Sequence, residues 1–170
     1  MPSVREGELV FQFPKEVSCE RFDGPEHGLS NRKMKAVDFI LDAADSYYFL
    51  EVKDPNHTKA KKKNQTKFAK TMQSGELRND LIQKFRDTFL YRYAEDKLDK
   101  PVHYLVLIDT PDRSLMPHLS DELKRNLPLK KASVRWKRPL AKSCLLLTPD
   151  MWKKHFPDWT IERVARSKAL

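Results

Sequence analysis

The apolar positions of the chain change period several times, and each change marks an element. Leu9, Phe11 and Phe13 alternate with Val10 and Gln12 and predict a strand, ended by Pro14. Val17 to Phe22 predicts a second short strand, Asp23-Gly24-Pro25 a turn, and Glu26 to Lys35 a polar loop. Ala36 to Leu41 and Tyr47 to Lys53 are β-branched and aromatic-rich arms around the polar stretch Asp42 to Ser46, which is the pattern of a β-hairpin. His57 to Lys70 is almost devoid of apolar residues and reads as a mobile, solvated loop.

From about Gly75 to Asp96, Leu77, Leu81, Phe85 and Phe89 recur at four-residue spacing, widened by Ile82 and Tyr93, and predict an amphipathic helix. Val102 to Ile108 is a near-continuous apolar run, as in a strand buried on both faces. Ser120-Asp121-Glu122 reads as a helix start leading into Leu123 to Leu127, and Ala132 to Trp136 as a further strand. Ser143 to Thr148 predicts another apolar strand, and Thr148-Pro149-Asp150 caps a short helix over Met151 to His155. Residues 157–170 read as a C-terminal extension. This order implies a single α/β domain over 1–170, core about 35–156, with a mixed central sheet flanked by helices.

Composition narrows the picture. Only four glycines are present, which excludes a glycine-rich phosphate loop, and no apolar run approaches the length of a membrane span. Cys19 and Cys144 are isolated and make no metal-ligand spacing, so a soluble, cytoplasmic, reduced protein is expected. The five histidines are scattered, which argues against a zinc site or a Ser-His-Asp arrangement. A net charge of +9 without membrane features points to nucleic acid. The charge is patchy. Lys59, Lys61, Lys62, Lys63, Lys67 and Lys70 follow the hairpin and suit phosphate-backbone contacts. Lys130, Lys131, Arg135, Lys137, Arg138 and Lys142 form a second cluster around Trp136, whose ring is expected to pack on the core rather than stack on a base.

The chemistry concentrates in the hairpin. A two- or four-residue loop centred on Ala44-Asp45 sets Asp38 opposite Glu51, with Cβ atoms about 5 Å apart. Lys53 lies two residues on from Glu51 and faces the same way. Facing carboxylates repel, so they need a raised pKa, a nearby cation or a metal ion. A divalent ion with oxygen ligands, Mg²⁺ before others, together with the Lys53 ammonium, would serve phosphodiester hydrolysis. The plainer alternative is a structural salt bridge from Lys53 to Asp38 or Glu51. On the helix, Lys84, Asp87, Thr88 and Tyr91 form a polar strip, and Lys84 would point at the same site if the helix packs beside the hairpin. Asp42, Asp45, Asp54, Asp109 and Asp112 read most simply as turn residues.

Asp38 on one hairpin arm, Glu51-Val52-Lys53 on the next, then a helix and a buried strand, resembles the PD-(D/E)xK nuclease superfamily, the restriction-endonuclease-like proteins. The resemblance spans roughly residues 35–110. It implies a restriction-endonuclease-like sheet, Mg²⁺ or Mn²⁺ binding, and hydrolysis of nucleic acid, DNA before RNA. By it Asp38, Glu51 and the Val52 carbonyl would be metal ligands, and Lys53 the charge stabiliser. Val37 replaces the family's proline, and an N-terminal acidic residue, Glu16, Glu20 or Glu26, is open as a further ligand. Some members bind nucleic acid or a protein without cleaving, so an inactive binding protein is the alternative. A homodimer or protein partner stays open.

Overall fold

The computed structural model describes residues 3–28, 33–57 and 62–164. Two sheets and four helices form the described chain. The larger sheet has the order β3-β4-β5-β6-β7, built from Ser18–Arg21, Phe39–Asp42, Tyr47–Lys53, Val102–Ile108 and Ser143–Leu147. Strands β3, β4 and β5 pair antiparallel, whereas β5, β6 and β7 pair parallel, so the sheet is mixed. A smaller antiparallel sheet joins β1 (Ser3–Glu6), β2 (Leu9–Gln12) and β8 (Thr160–Arg163) in the order β1-β2-β8.

The pleat sends alternate side chains of β5 to two different cores. Tyr47 and Phe49 join Leu77, Leu81 and Phe85 of α2 (Glu76–Ala94) and Leu119 and Leu123 of α3 (Met116–Asn126). Leu50 and Val52 instead meet Leu9 and Phe11 of β2, Ile161 of β8, and Trp152 of α4 (Pro149–His155). A helical layer therefore covers one face of the large sheet, and the small sheet with α4 covers the other. Glu51 and Lys53 share the parity of Tyr47 and Phe49, which turns both toward α2. That parity decides where the polar site can form.

The hairpin register matches the sequence expectation. Phe39 faces Leu50 and Ile40 faces Phe49, around the four-residue loop from Ala43 to Ser46. Strand β5 is the middle strand, and β6 is buried at every position except His103. Thr148 caps α4, its hydroxyl accepting from the Met151 N–H at 3.3 Å, with Pro149 in the first turn.

Several expectations are corrected. Residues 62–70 are not a loop: α1 spans Lys62–Ser74, and its apolar positions Phe68 and Met72, one turn apart, pack on the helical-side core. Gly75 then breaks α1 from α2 with φ 80, a left-handed conformation that a side chain would strain. Helix α3 begins at Met116, a full turn before Ser120. Residues 132–136 are turns and bends rather than a strand, and Trp136 is half-buried and belongs to neither core. Tyr93 is 70 % exposed, since the apolar stripe of α2 ends at Phe89. The C-terminal segment is part of the fold, because β8 completes the small sheet against β2.

Candidate active site

Asp38 immediately precedes β4, and Glu51 is two residues from the end of β5. Both are buried, Glu51 with 0 % exposure and Asp38 with 6 %. The Asp38 carboxylate is seated by the hairpin itself: its Oδ2 accepts from the Val52 N–H at 2.7 Å. Two lysines converge on one oxygen of Glu51. Lys84 Nζ donates to Oε1 at 2.6 Å, and Lys53 Nζ lies 2.8 Å from the same atom. Lys84 also stands 3.8 Å from Asp38 Oδ1, so it spans both carboxylates. Helix α2 supplies Lys84 because Leu81 and Phe85 fasten the adjacent stripe to the sheet.

Two ammoniums meet two carboxylates, but the hydrogen bonding is incomplete. The second oxygen of Glu51, Oε2, is buried and has no hydrogen-bond partner among the described residues. An unsatisfied carboxylate oxygen in a low-dielectric interior is costly. Burial, reinforced by the Glu51 charge, pushes the Asp38 carboxyl up to about 7, against the opposing pull of Lys84 and the Val52 N–H. Burial acts to lower the Lys53 ammonium, but the Glu51 and Asp80 carboxylates outweigh it and hold Lys53 above its ordinary value. The site thus sets a carboxyl that favours its proton beside a firmly charged Lys53.

Two residues without a sequence signal complete this surround. Asp80 of α2 lies 3.6 Å from Lys53 and accepts from Lys35 at 2.6 Å. Lys35 and its neighbours hold Asp80 below the usual carboxylate range despite burial, which acts the other way. Asp80 lies one turn before Lys84 on α2, a spacing visible in the sequence only once Lys84 is tied to the site. From the N-terminal segment, the acid whose charge reaches Asp38 is Glu6. Glu20 and Glu26 pair with His27 instead, and Glu16 lines a separate cavity beside Tyr48 and Trp159.

Oxygen donors of this kind suit a hard divalent cation. Asp38, Glu51 with its unpartnered Oε2, and the Val52 carbonyl are the groups that could hold Mg²⁺ or Mn²⁺. No set of three His, Cys, Asp or Glu side chains converges for a metal among the described residues. A cation with few protein ligands is in keeping with Mg²⁺, which retains several waters. Lys53 opens onto a cleft of about 640 Å³ between α1 and α2, lined by Lys35, Phe68, Thr71, Asp80 and Gln83. Of the lysines expected to contact phosphate, Lys62, Lys63, Lys67 and Lys70 lie on α1, while Lys59 and Lys61 lie outside the described residues.

The chain matches no family model, no curated protein and no solved structure. Among the described residues no helix is long and apolar enough to cross a membrane.

Proposed function

We propose that the protein is a metal-dependent nuclease of the PD-(D/E)xK type, with a restriction-endonuclease-like core and DNA as its substrate before RNA. The observation that carries this reading is the buried Asp38–Glu51 pair with one carboxylate oxygen left unpartnered beside two lysines. Such a buried pair adds little to stability, because desolvating its charges costs about as much as their attraction returns. When bound, Mg²⁺ or Mn²⁺ would polarise the scissile phosphate and lower the pKa of an attacking water. Asp38 and Glu51 would hold the ion, with the Val52 carbonyl. Lys53, at the cleft, stabilises the negative charge that develops on the phosphate. Lys84 and Asp80 orient Glu51 and Lys53, and the α1 lysines hold the flanking backbone without reading its sequence.

A second reading, a nuclease-fold protein that binds without cutting, is favoured by one contact. Lys84 already spans both carboxylates and offsets part of the charge that a metal would neutralise. Incubating DNA and RNA with the protein and Mg²⁺ or Mn²⁺ separates the two. Cleavage that disappears in Glu51→Ala and Lys53→Ala supports the nuclease. Salt-sensitive binding with equal inertness of wild type and both variants supports the binding protein instead.

A further inference from the structure

At the other end of the parallel strands from Lys53, the chain between α3 and β7 makes a surface that the nuclease reading does not use. Every charged residue from 128 to 142 is Lys or Arg. Lys130, Lys131, Arg135, Lys137 and Lys142 carry no ion pair among the described residues. The segment is irregular, yet its backbone is pinned. The Lys142 N–H donates to the Val102 carbonyl at 2.7 Å, the Leu140 N–H to the Pro128 carbonyl at 3.1 Å, and the Arg138 guanidinium to the Leu98 carbonyl at 2.6 Å.

Beneath it lies a concave socket of about 340 Å³. Its floor is Leu98, Pro101, Val102 and Leu140, and cations stand at its rim, Arg138 and Lys142 with Lys100. Phe89 of α2 closes one wall. Lys100 is neutralised by Asp42 at 2.6 Å, and Arg138 is engaged by the Leu98 carbonyl and by the charge of Asp99, which leaves Lys142 as the rim charge available to a ligand. A single-stranded nucleic acid asks for flat aromatic faces beside its phosphate contacts. This socket is chiefly aliphatic and proline-lined, with Phe89 its one aromatic ring, so it offers a base little to stack on. A small amphipathic anion would be satisfied by the socket and its rim, leaving the cations at 130, 131 and 135 without a partner.

We propose that this surface docks an acidic polypeptide segment that inserts one bulky apolar side chain into the socket. Carboxylates on either side of the anchor meet the unpaired lysines and arginines, while the anchor buries against Leu98, Val102 and Leu140. The preformed, backbone-pinned rim lowers the ordering cost on the protein side. The inference does not depend on catalysis at Asp38 and Glu51.

The test uses the whole 170-residue chain with a chelator present, so the candidate metal site plays no part. Fluorescein-labelled peptides of about a dozen residues, rich in Asp and Glu and differing only in a central Phe or Ser, are titrated by anisotropy. The Phe peptide should bind about ten- to hundredfold tighter than the Ser peptide, as expected for burying one large side chain. K131E/K142E, at exposed positions without ion pairs, should weaken both peptides about tenfold with an unchanged melting temperature. Methyl resonances of Val102 and Leu140 should shift with the Phe peptide. Equal binding of the two peptides, stronger displacement by oligothymidylate than by unlabelled peptide, methyl shifts confined elsewhere, or no binding would each overturn the proposal.

Discussion

Two clusters of opposite charge sit at the same end of β5 and β6, and they solve the same problem differently. In one, Arg163 of β8 gathers Glu8, Asp54 and Asp109. Its guanidinium reaches Glu8 at 2.8 Å, both oxygens of Asp54 at 2.6 and 3.2 Å, and Asp109 at 2.6 Å. In the other, Asp38 and Glu51 meet Lys53 and Lys84, both lysines crowd onto one oxygen, and Glu51 Oε2 has no hydrogen-bond partner among the described residues. The first is a clamp: one planar fork answers three carboxylates and ties the C-terminal strand to the ends of β5 and β6. The second is an unfinished network in a buried place. Structural ion pairs tend toward completion, whereas a site that must bind something leaves donors or acceptors open.

The contrast can be broken most sharply at the level of activity. Under the proposed function, Glu51→Ala and Lys53→Ala should each lower Mg²⁺-dependent DNA cleavage about a thousandfold or more, measured by single-turnover assay. Arg163→Ala should lose stability, because it removes the guanidinium that holds Glu8, Asp54 and Asp109 together. A loss of about 3 kcal/mol, read by urea denaturation, fits removal of one partner from a buried ion pair.

Asp38→Asn should go the other way and stabilise the metal-free protein by about 1–2 kcal/mol at pH 8, since it removes a charge that burial and Glu51 disfavour. The pH dependence has a defined sign. Between the ordinary value of 3.8 and about 7, the folded chain holds a proton on Asp38 that the unfolded chain has lost. Stability of the metal-free protein therefore falls as pH rises through this window, and Asp38→Asn should flatten that slope in thermal melts. The smallest effect concerns α1: each Ala at Lys62, Lys63, Lys67 or Lys70 that removes a phosphate contact should lower the slope of log affinity against log salt by about 1.

Much of the site was legible because it is local. Asp38, Glu51 and Lys53 lie on one hairpin, and a short polar loop between two apolar arms constrains which residues face each other. The central position of β5 followed from its apolar density. Lys84 was reachable through the stripe of α2, which fixes how the polar strip beside it faces the sheet. What escaped was nonlocal or weakly patterned. Strands β1 and β8 are four residues each, and β8 pairs with β2 across nearly the whole chain, so neither has a local signature. Helix α1 shows few apolar residues, and Phe68 with Met72 is a thin stripe against so many lysines. Asp54 and Asp109 look like ordinary turn residues until Arg163 arrives from β8 to engage them. Asp80 and Lys35 meet only when the chain before the hairpin packs against α2.

The central claim is that the unfinished pair is a metal site and the completed clamp is not. Mn²⁺ titration followed by electron paramagnetic resonance tests this without relying on turnover. The account predicts saturable Mn²⁺ binding by the wild type, loss of it in Glu51→Ala, and its retention in a folded Arg163→Lys variant. Absence of binding in the wild type, or unchanged binding in Glu51→Ala, would contradict it.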